Sequence, residues 1–152
     1  MIVGSQAILG AVTDAPAEIT VSEELDLYAP DDEHASDLLD GSIGERSPFH
    51  ETFGYYAHGV GAETATLPSR WRERATIIRS EATAGVIGIC PHPSDLAVSK
   101  LAAWREKDRE FVTALFRHHI TTAGEIESRL VELEDATAAL IWTRLRSAAV
   151  IQ

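Results

Sequence analysis

The sequence predicts a small α/β fold of the α+β kind, with a mixed sheet in residues 1–90 and a helical part in residues 91–152, and three features predict it. The apolar start Met1-Ile2-Val3 runs straight into Gly4-Ser5 and then Gln6-Ala7-Ile8-Leu9, the pattern of a short buried strand, a tight turn and a helix. Leu25-Asp26-Leu27-Tyr28 alternates apolar and polar as a half-buried strand does. After Pro91-His92-Pro93 the apolar residues take helical spacing and keep it to the end of the chain.

Between these landmarks Thr13-Asp14-Ala15-Pro16 breaks the chain ahead of a segment, Ile19 to Tyr28, that ends in the alternating strand. Asp31-Asp32-Glu33 followed by Leu38-Leu39-Asp40-Gly41 predicts a short helix with acidic residues in its first turn and a glycine stop. From Ser47 to Gly61 the aromatics Phe49, Phe53, Tyr55 and Tyr56 alternate with glycines, which predicts short strands and turns rather than helix. Ala75 to Arg79 and Val86 to Cys90 are two further strands. Ser94 is the expected N-cap of the next helix, with Asp95 in its first turn and Leu96, Leu101 and Trp104 as apolar contacts. Asp108 to His118 continues with Phe111, Val112, Leu115 and Phe116, and Ala123 to Val150 holds two more amphipathic stretches.

The 152 residues suit one domain, and 45% hydrophobic with 24% charged residues is the balance of a globular core. A single cysteine, Cys90, excludes an internal disulfide, and no charged-then-apolar leader opens the sequence, so the cytoplasm is the expected location. No apolar run approaches the ~20 residues that span a bilayer. Thirteen basic against 24 acidic residues give a net charge of -11, which opposes counterion-driven binding to duplex DNA. A small anionic substrate stays compatible with that charge, because a few lysines and a divalent ion can reverse the potential inside one cleft.

The residues with chemical potential gather around the first strands. Glu24 and Asp26 are two apart on a strand and so share one face. Two close carboxylates resist joint ionisation unless a cation sits between them, and magnesium favours such hard oxygen ligands. The Gly4-Ser5 turn adds close backbone approach, a hydroxyl donor and a helix start that favours an anion.

Gly4-Ser5, Glu24-Leu25-Asp26, Asp95-Leu96-Ala97-Val98-Ser99-Lys100-Leu101 and Arg105-Glu106-Lys107-Asp108, taken in that order, resemble the AbiEii-type nucleotidyltransferases, over most of residues 2–119. That family includes toxins of toxin-antitoxin and phage-defence systems. The resemblance implies a nucleotidyltransferase fold and transfer of a nucleoside monophosphate from a nucleoside triphosphate to a hydroxyl on RNA, such as a tRNA end, on protein or on a small molecule. It implies that Gly4 and Ser5 hold the triphosphate, Glu24 and Asp26 bind magnesium, Lys100 neutralises phosphate charge and Asp108 supports the site. A cognate antitoxin protein is the implied partner. A nucleotide-binding or protein-interaction module of the same fold without catalysis is the alternative.

The chain departs from the family pattern in three respects. Its first acid is Glu rather than Asp, the spacer of residues 6–23 is long, and no third carboxylate is readable, Glu63 being the one candidate. The family also carries a helix ahead of the first strand, and where that helix is missing apolar surface is expected to lie open.

Simpler roles account for the other reactive residues. Taken without the family pattern, Lys100 is a solvated helix lysine and Asp108 part of a mixed-charge face or the acidic start of the next helix. His50, Glu51 and His58 lack zinc-site spacing. Cys90 ends a buried strand as a small hydrophobe despite His92 nearby. His118 and His119 form a charged C-terminal turn, and Trp71 between Arg70 and Arg72 is half-buried rather than a base-stacking platform.

Overall fold

The structure, a computed structural model that describes residues 1–30, 32, 34–81 and 84–149, bears out the mixed α/β class. Strand β1 (Ile2–Val3) pairs antiparallel with β2 (Glu24–Leu27), and β2 pairs in parallel with β3 (Tyr56–Gly59). The terminal amino group of Met1 donates to the Tyr28 carbonyl at 2.7 Å, which prolongs the first ladder by a residue. Parallel neighbours need a crossover connection, and helices α2 (Ala35–Ile43) and α3 (Pro48–Phe53) lie within it. Gly59 lets α2 rest directly on β3, since a Cβ there would come within 2.4 Å of the Ser36 Cα.

Helix α2 does not stop at Gly41. That glycine faces open space, where it costs a helix only about 1 kcal/mol, and the helix runs on to end before Gly44, whose Cβ would strike the Asp40 carbonyl oxygen at 2.2 Å. Of the acidic lead-in, Asp31 and Glu33 lie outside the described residues.

The aromatic segment is also corrected, because its first part is helix. The Ser47 hydroxyl accepts from the His50 N–H, Pro48 fills the first helical position, and Gly54 at φ 74° closes α3 in the left-handed region. Only Tyr56–Gly59 is strand.

The two later strands, β4 (Thr76–Ile78) and β5 (Gly88–Cys90), pair with each other as a separate antiparallel ribbon. β5 packs beside β1 without ladder pairing, so there are two small sheets where the sequence predicts one. Between them and β3, the short helix α4 (Trp71–Arg74) buries Trp71 under Arg72, whose guanidinium lies 5.5 Å from the ring centre.

The helical part matches the expectation of four amphipathic stretches, α5 (Pro93–Ala103), α6 (Glu106–Arg117), α7 (Ala123–Leu130) and α8 (Asp135–Ala149), Val150 lying outside the described residues. Helix α5 is central, packing on α6, α7, α8 and the short α1 (Ile8–Ala11). Leu96, Ala97, Val98 and Leu101 are completely or almost completely buried, in an apolar cluster that runs from Ala7 to Ala148.

The cap of α5 is His92, not Ser94: His92 Nδ1 accepts from the Ser94 N–H at 3.2 Å, Pro93 takes the first helical position, and the buried Ser94 hydroxyl bonds Thr121 at 2.8 Å. Cys90 is fully buried, and burial pushes its thiol above the ordinary range. His118 and Arg117 both meet Glu18.

On the face of β2 that carries Leu25, the side chains of Ile2, Leu9, Leu25, Tyr55 and Ile78 line an open apolar groove of about 470 Å³. Among the described residues no helix is long and apolar enough to cross a membrane.

Candidate active site

The opposite face of β2 carries Glu24 and Asp26, and the turn after β1 closes over them. Gly4 sits at φ 71° and ψ -172°, in the left-handed half of backbone space that favours glycine. A Cβ at this position would lie 2.2 Å from Asp26 Oδ2, so glycine is also what gives the carboxylate its room. Ser5 then starts a 3-10 turn (Ser5–Ala7) that leads into the single turn of α1, so the helical start expected over Gln6 to Leu9 is split between a 3-10 and an α turn. The Gln6 amide donates to the Thr20 carbonyl at 3.1 Å and to the Ser22 carbonyl, fixing the turn against the lead-in to β2.

The corner between α5 and α6 supplies the cations. Trp104 ends α5 at φ 58°, and Arg109 and Arg144 stack on its ring, with centroid distances of 5.7 and 5.5 Å. The Arg144 guanidinium also donates to the Leu101 and Ala102 carbonyls, which holds the end of α5 in place. Lys100, in the last turn, is only 7% exposed, so it is not the solvated lysine its sequence context suggests. Its Nζ lies 3.4 Å from Asp108 Oδ1 and 5.5 Å from the Phe111 ring centre. Burial pulls Lys100 below the ordinary lysine range, and Asp108 opposes that pull.

Asp108 is itself buried at the start of α6, as the reading of an acidic helix start has it, and accepts from the Arg105 backbone N–H at 3.1 Å and the Arg105 Nε at 2.7 Å. Burial works to raise its pKa, but the Arg105 hydrogen bond and the Lys100 charge outweigh it and leave the group below the usual carboxylate value. Asp108 thus holds Lys100 and Arg105 and does not itself line the cleft.

These two constructions meet in one hollow of about 190 Å³, whose lining includes Ser5, Glu24, Asp26, Lys100, Arg105 and Lys107. One wall is carboxylate and the other cationic. His58 completes the carboxylate wall: strand register sets it opposite Asp26, and its Nδ1 lies 3.2 Å from Glu24 Oε1 and 3.6 Å from Asp26 Oδ1. One ligand atom from each of Glu24, Asp26 and His58 falls within 4.8 Å of the others, a spacing that one metal ion can bridge. Burial, then the neighbouring Glu24 charge, raises Asp26 above its ordinary value against the opposing pull of Lys100, His58 and Lys107. A second hollow of about 300 Å³ adjoins past Glu24 and His58, with Asp40, Glu45 and Tyr56 on its walls.

The sequence-named residues Ser5, Glu24, Asp26 and Lys100 are therefore brought together, with Gly4 beneath Asp26 and Asp108 behind Lys100. Glu63 is not among them, since it faces a separate hollow beside Tyr28 and Ser36. His58, Arg105 and Lys107 are the additions. Arg105 and Lys107 stand in the charged run that the sequence displays, whereas only strand pairing reveals His58.

A turn-held pair of carboxylates thus faces clustered cations across one hollow. Residues 1–142 match the family DUF6036, described as nucleotidyltransferase of unknown function, and the chain belongs to that family. No curated protein and no solved structure matches it.

Proposed function

We propose that the protein is a magnesium-dependent nucleotidyltransferase that moves a nucleoside monophosphate from a nucleoside triphosphate to a hydroxyl acceptor, with Glu24 and Asp26 as the metal-binding acids. The observation that carries this reading is the meeting of two half-buried carboxylates with Ser5, Lys100, Arg105 and Lys107 in one hollow. The donor set fits a divalent ion, because Glu24 and Asp26 repel each other without one. Such an ion supplies charge neutralisation at the phosphoryl oxygens.

The chain's own residues do the rest by position and charge, which is what phosphoryl and nucleotidyl transfer chiefly requires. Lys100, Arg105 and Lys107 offset the triphosphate, and the Ser5 hydroxyl donates to a phosphate oxygen. The acceptor oxygen bonds to the α-phosphorus as the bond to the bridging oxygen breaks. Pyrophosphate leaves with that electron pair, and the hydroxyl proton passes to water.

A defined RNA end such as a tRNA terminus, a protein hydroxyl or a small molecule suits a chain of net charge -11 better than duplex DNA. The order of motifs supports an AbiEii-type effector working with an antitoxin partner. One observation favours a non-catalytic nucleotide-binding module instead: among the described residues the Glu24–Asp26 cluster gains a histidine and no third carboxylate.

The test is transfer of radiolabel from each of four α-labelled nucleoside triphosphates, with magnesium, to total RNA and cell protein. Labelling by the wild type and a drop of about 10²–10³-fold or more in Asp26→Ala is expected. Folded wild type that labels nothing from any donor would support the binding module.

A further inference from the structure

The third member of the carboxylate wall is a nitrogen donor, and it points inward. Parallel pairing of β2 with β3 sets Asp26 beside His58, and Tyr56 opposite Glu24. The two residues facing the hollow from β2 are thus joined by the imidazole of β3 rather than by another oxygen ligand. Its Nδ1 is the atom nearest both carboxylates, at 3.2 and 3.6 Å. The side chain is half exposed. Gly59 follows, and its N–H donates to Asp40 Oδ1 at 2.8 Å, anchoring the end of β3 to α2.

We infer that His58 is a direct metal ligand through Nδ1, and that it tunes this site toward first-row transition ions over magnesium. The inference rests on the reading of Glu24 and Asp26 as a cation site and goes beyond it in the identity of the ion.

The reason is donor chemistry. Magnesium takes hard oxygen ligands and holds its waters, so an imidazole adds little for it. Imidazole is a favoured ligand of first-row transition ions, so joining His58 to Glu24 and Asp26 strengthens the binding of such ions over magnesium, and manganese(II), which also accepts carboxylates, is the spectroscopic probe of that preference. A simple ion pair between protonated His58 and Glu24 is the competing account of the same distances. The two accounts differ in whether the nitrogen bonds the metal.

The experiment uses the full chain and manganese(II) chloride alone. Electron paramagnetic resonance of the free ion gives its affinity, competition with magnesium chloride gives the selectivity, and electron-spin-echo modulation reads any ¹⁴N bound to the manganese. The expected result is ¹⁴N modulation in the wild type that disappears in His58→Gln. Manganese affinity should fall about tenfold or more in that variant, with magnesium affinity changed less than about threefold. Should His58→Gln fail to fold by circular dichroism, His58→Asn takes its place, and the wild-type ¹⁴N signal stands independently of either.

Manganese bound without ¹⁴N modulation, no manganese bound at all, or wild-type manganese affinity in the folded variant would each overturn the inference. Failure here and failure of the proposed activity separate cleanly. Nucleotide transfer without ¹⁴N coupling removes only the role of His58, and ¹⁴N coupling without transfer removes only the transferase.

Discussion

The protein contains two clusters of carboxylates and cations built from similar residues, and they behave in opposite ways. In the first, Arg74 donates to Asp95 at 3.0 and 2.9 Å and to Glu132 at 2.9 and 3.0 Å, while Arg70 adds two more bonds to Glu132. Every oxygen of both carboxylates is occupied, Asp95 is fully buried, and the Arg74 hydrogen bonds hold Glu132 down at about 2. In the second, Glu24 and Asp26 accept no arginine or lysine hydrogen bond among the described residues, and Asp26 is pushed up rather than down. Planar guanidinium forks saturate carboxylates and make a closed structural joint. Carboxylates set side by side, with their cations kept across a hollow by Asp108, keep bonding capacity for something that is not protein.

Removing the arginine from the closed cluster is the largest expected effect on stability. Arg74→Ala leaves Asp95 and Glu132 buried without their partner and should cost about 3–5 kcal/mol in urea unfolding. A loss under about 1 kcal/mol would show that Arg129, whose Nε stands 3.6 Å from Asp95, carries the joint instead.

At the open cluster, Gly4→Ala forces a side chain into the left-handed region against Asp26 and should cost about 1–2 kcal/mol, together with a loss of metal binding. An unchanged metal affinity would mean that Asp26 shifts without consequence.

The pH dependence of stability separates the clusters by sign. Glu132 is held below its ordinary value near 4.5, so its contribution is fully present above that value and is lost as pH falls toward about 2. Glu132→Gln should therefore flatten that part of the stability profile. A variant profile parallel to the wild type between those values would remove Glu132 from the acid response.

These contrasts explain which parts were legible in the sequence. Strand alternation put Glu24 and Asp26 on one face, and the breakers and apolar spacing marked β1, β2 and α5 to α8, because those signals are local. The Ser47-Pro48 start and Gly54 stop of α3 were local too, but the aromatics between them read as strand. Nothing local marked the burial of Lys100, which depends on Asp108 and Phe111 from the next helix, or His58 beside Asp26, which depends on a crossover pairing. Asp95 shows the same limit from the other side. In sequence it is an ordinary first-turn acid, and only its distant partners Arg74 and Arg129 make it a core residue.

Label transfer per mole of folded protein, compared among wild type, Asp26→Ala and Arg74→Ala, tests the central claim most directly. The account expects transfer by the wild type and by whatever fraction of Arg74→Ala remains folded. It expects a loss of about 10²–10³-fold or more in Asp26→Ala, which should unfold in urea no earlier than wild type because it relieves repulsion with Glu24. Equal transfer by folded Asp26→Ala and wild type would contradict the account.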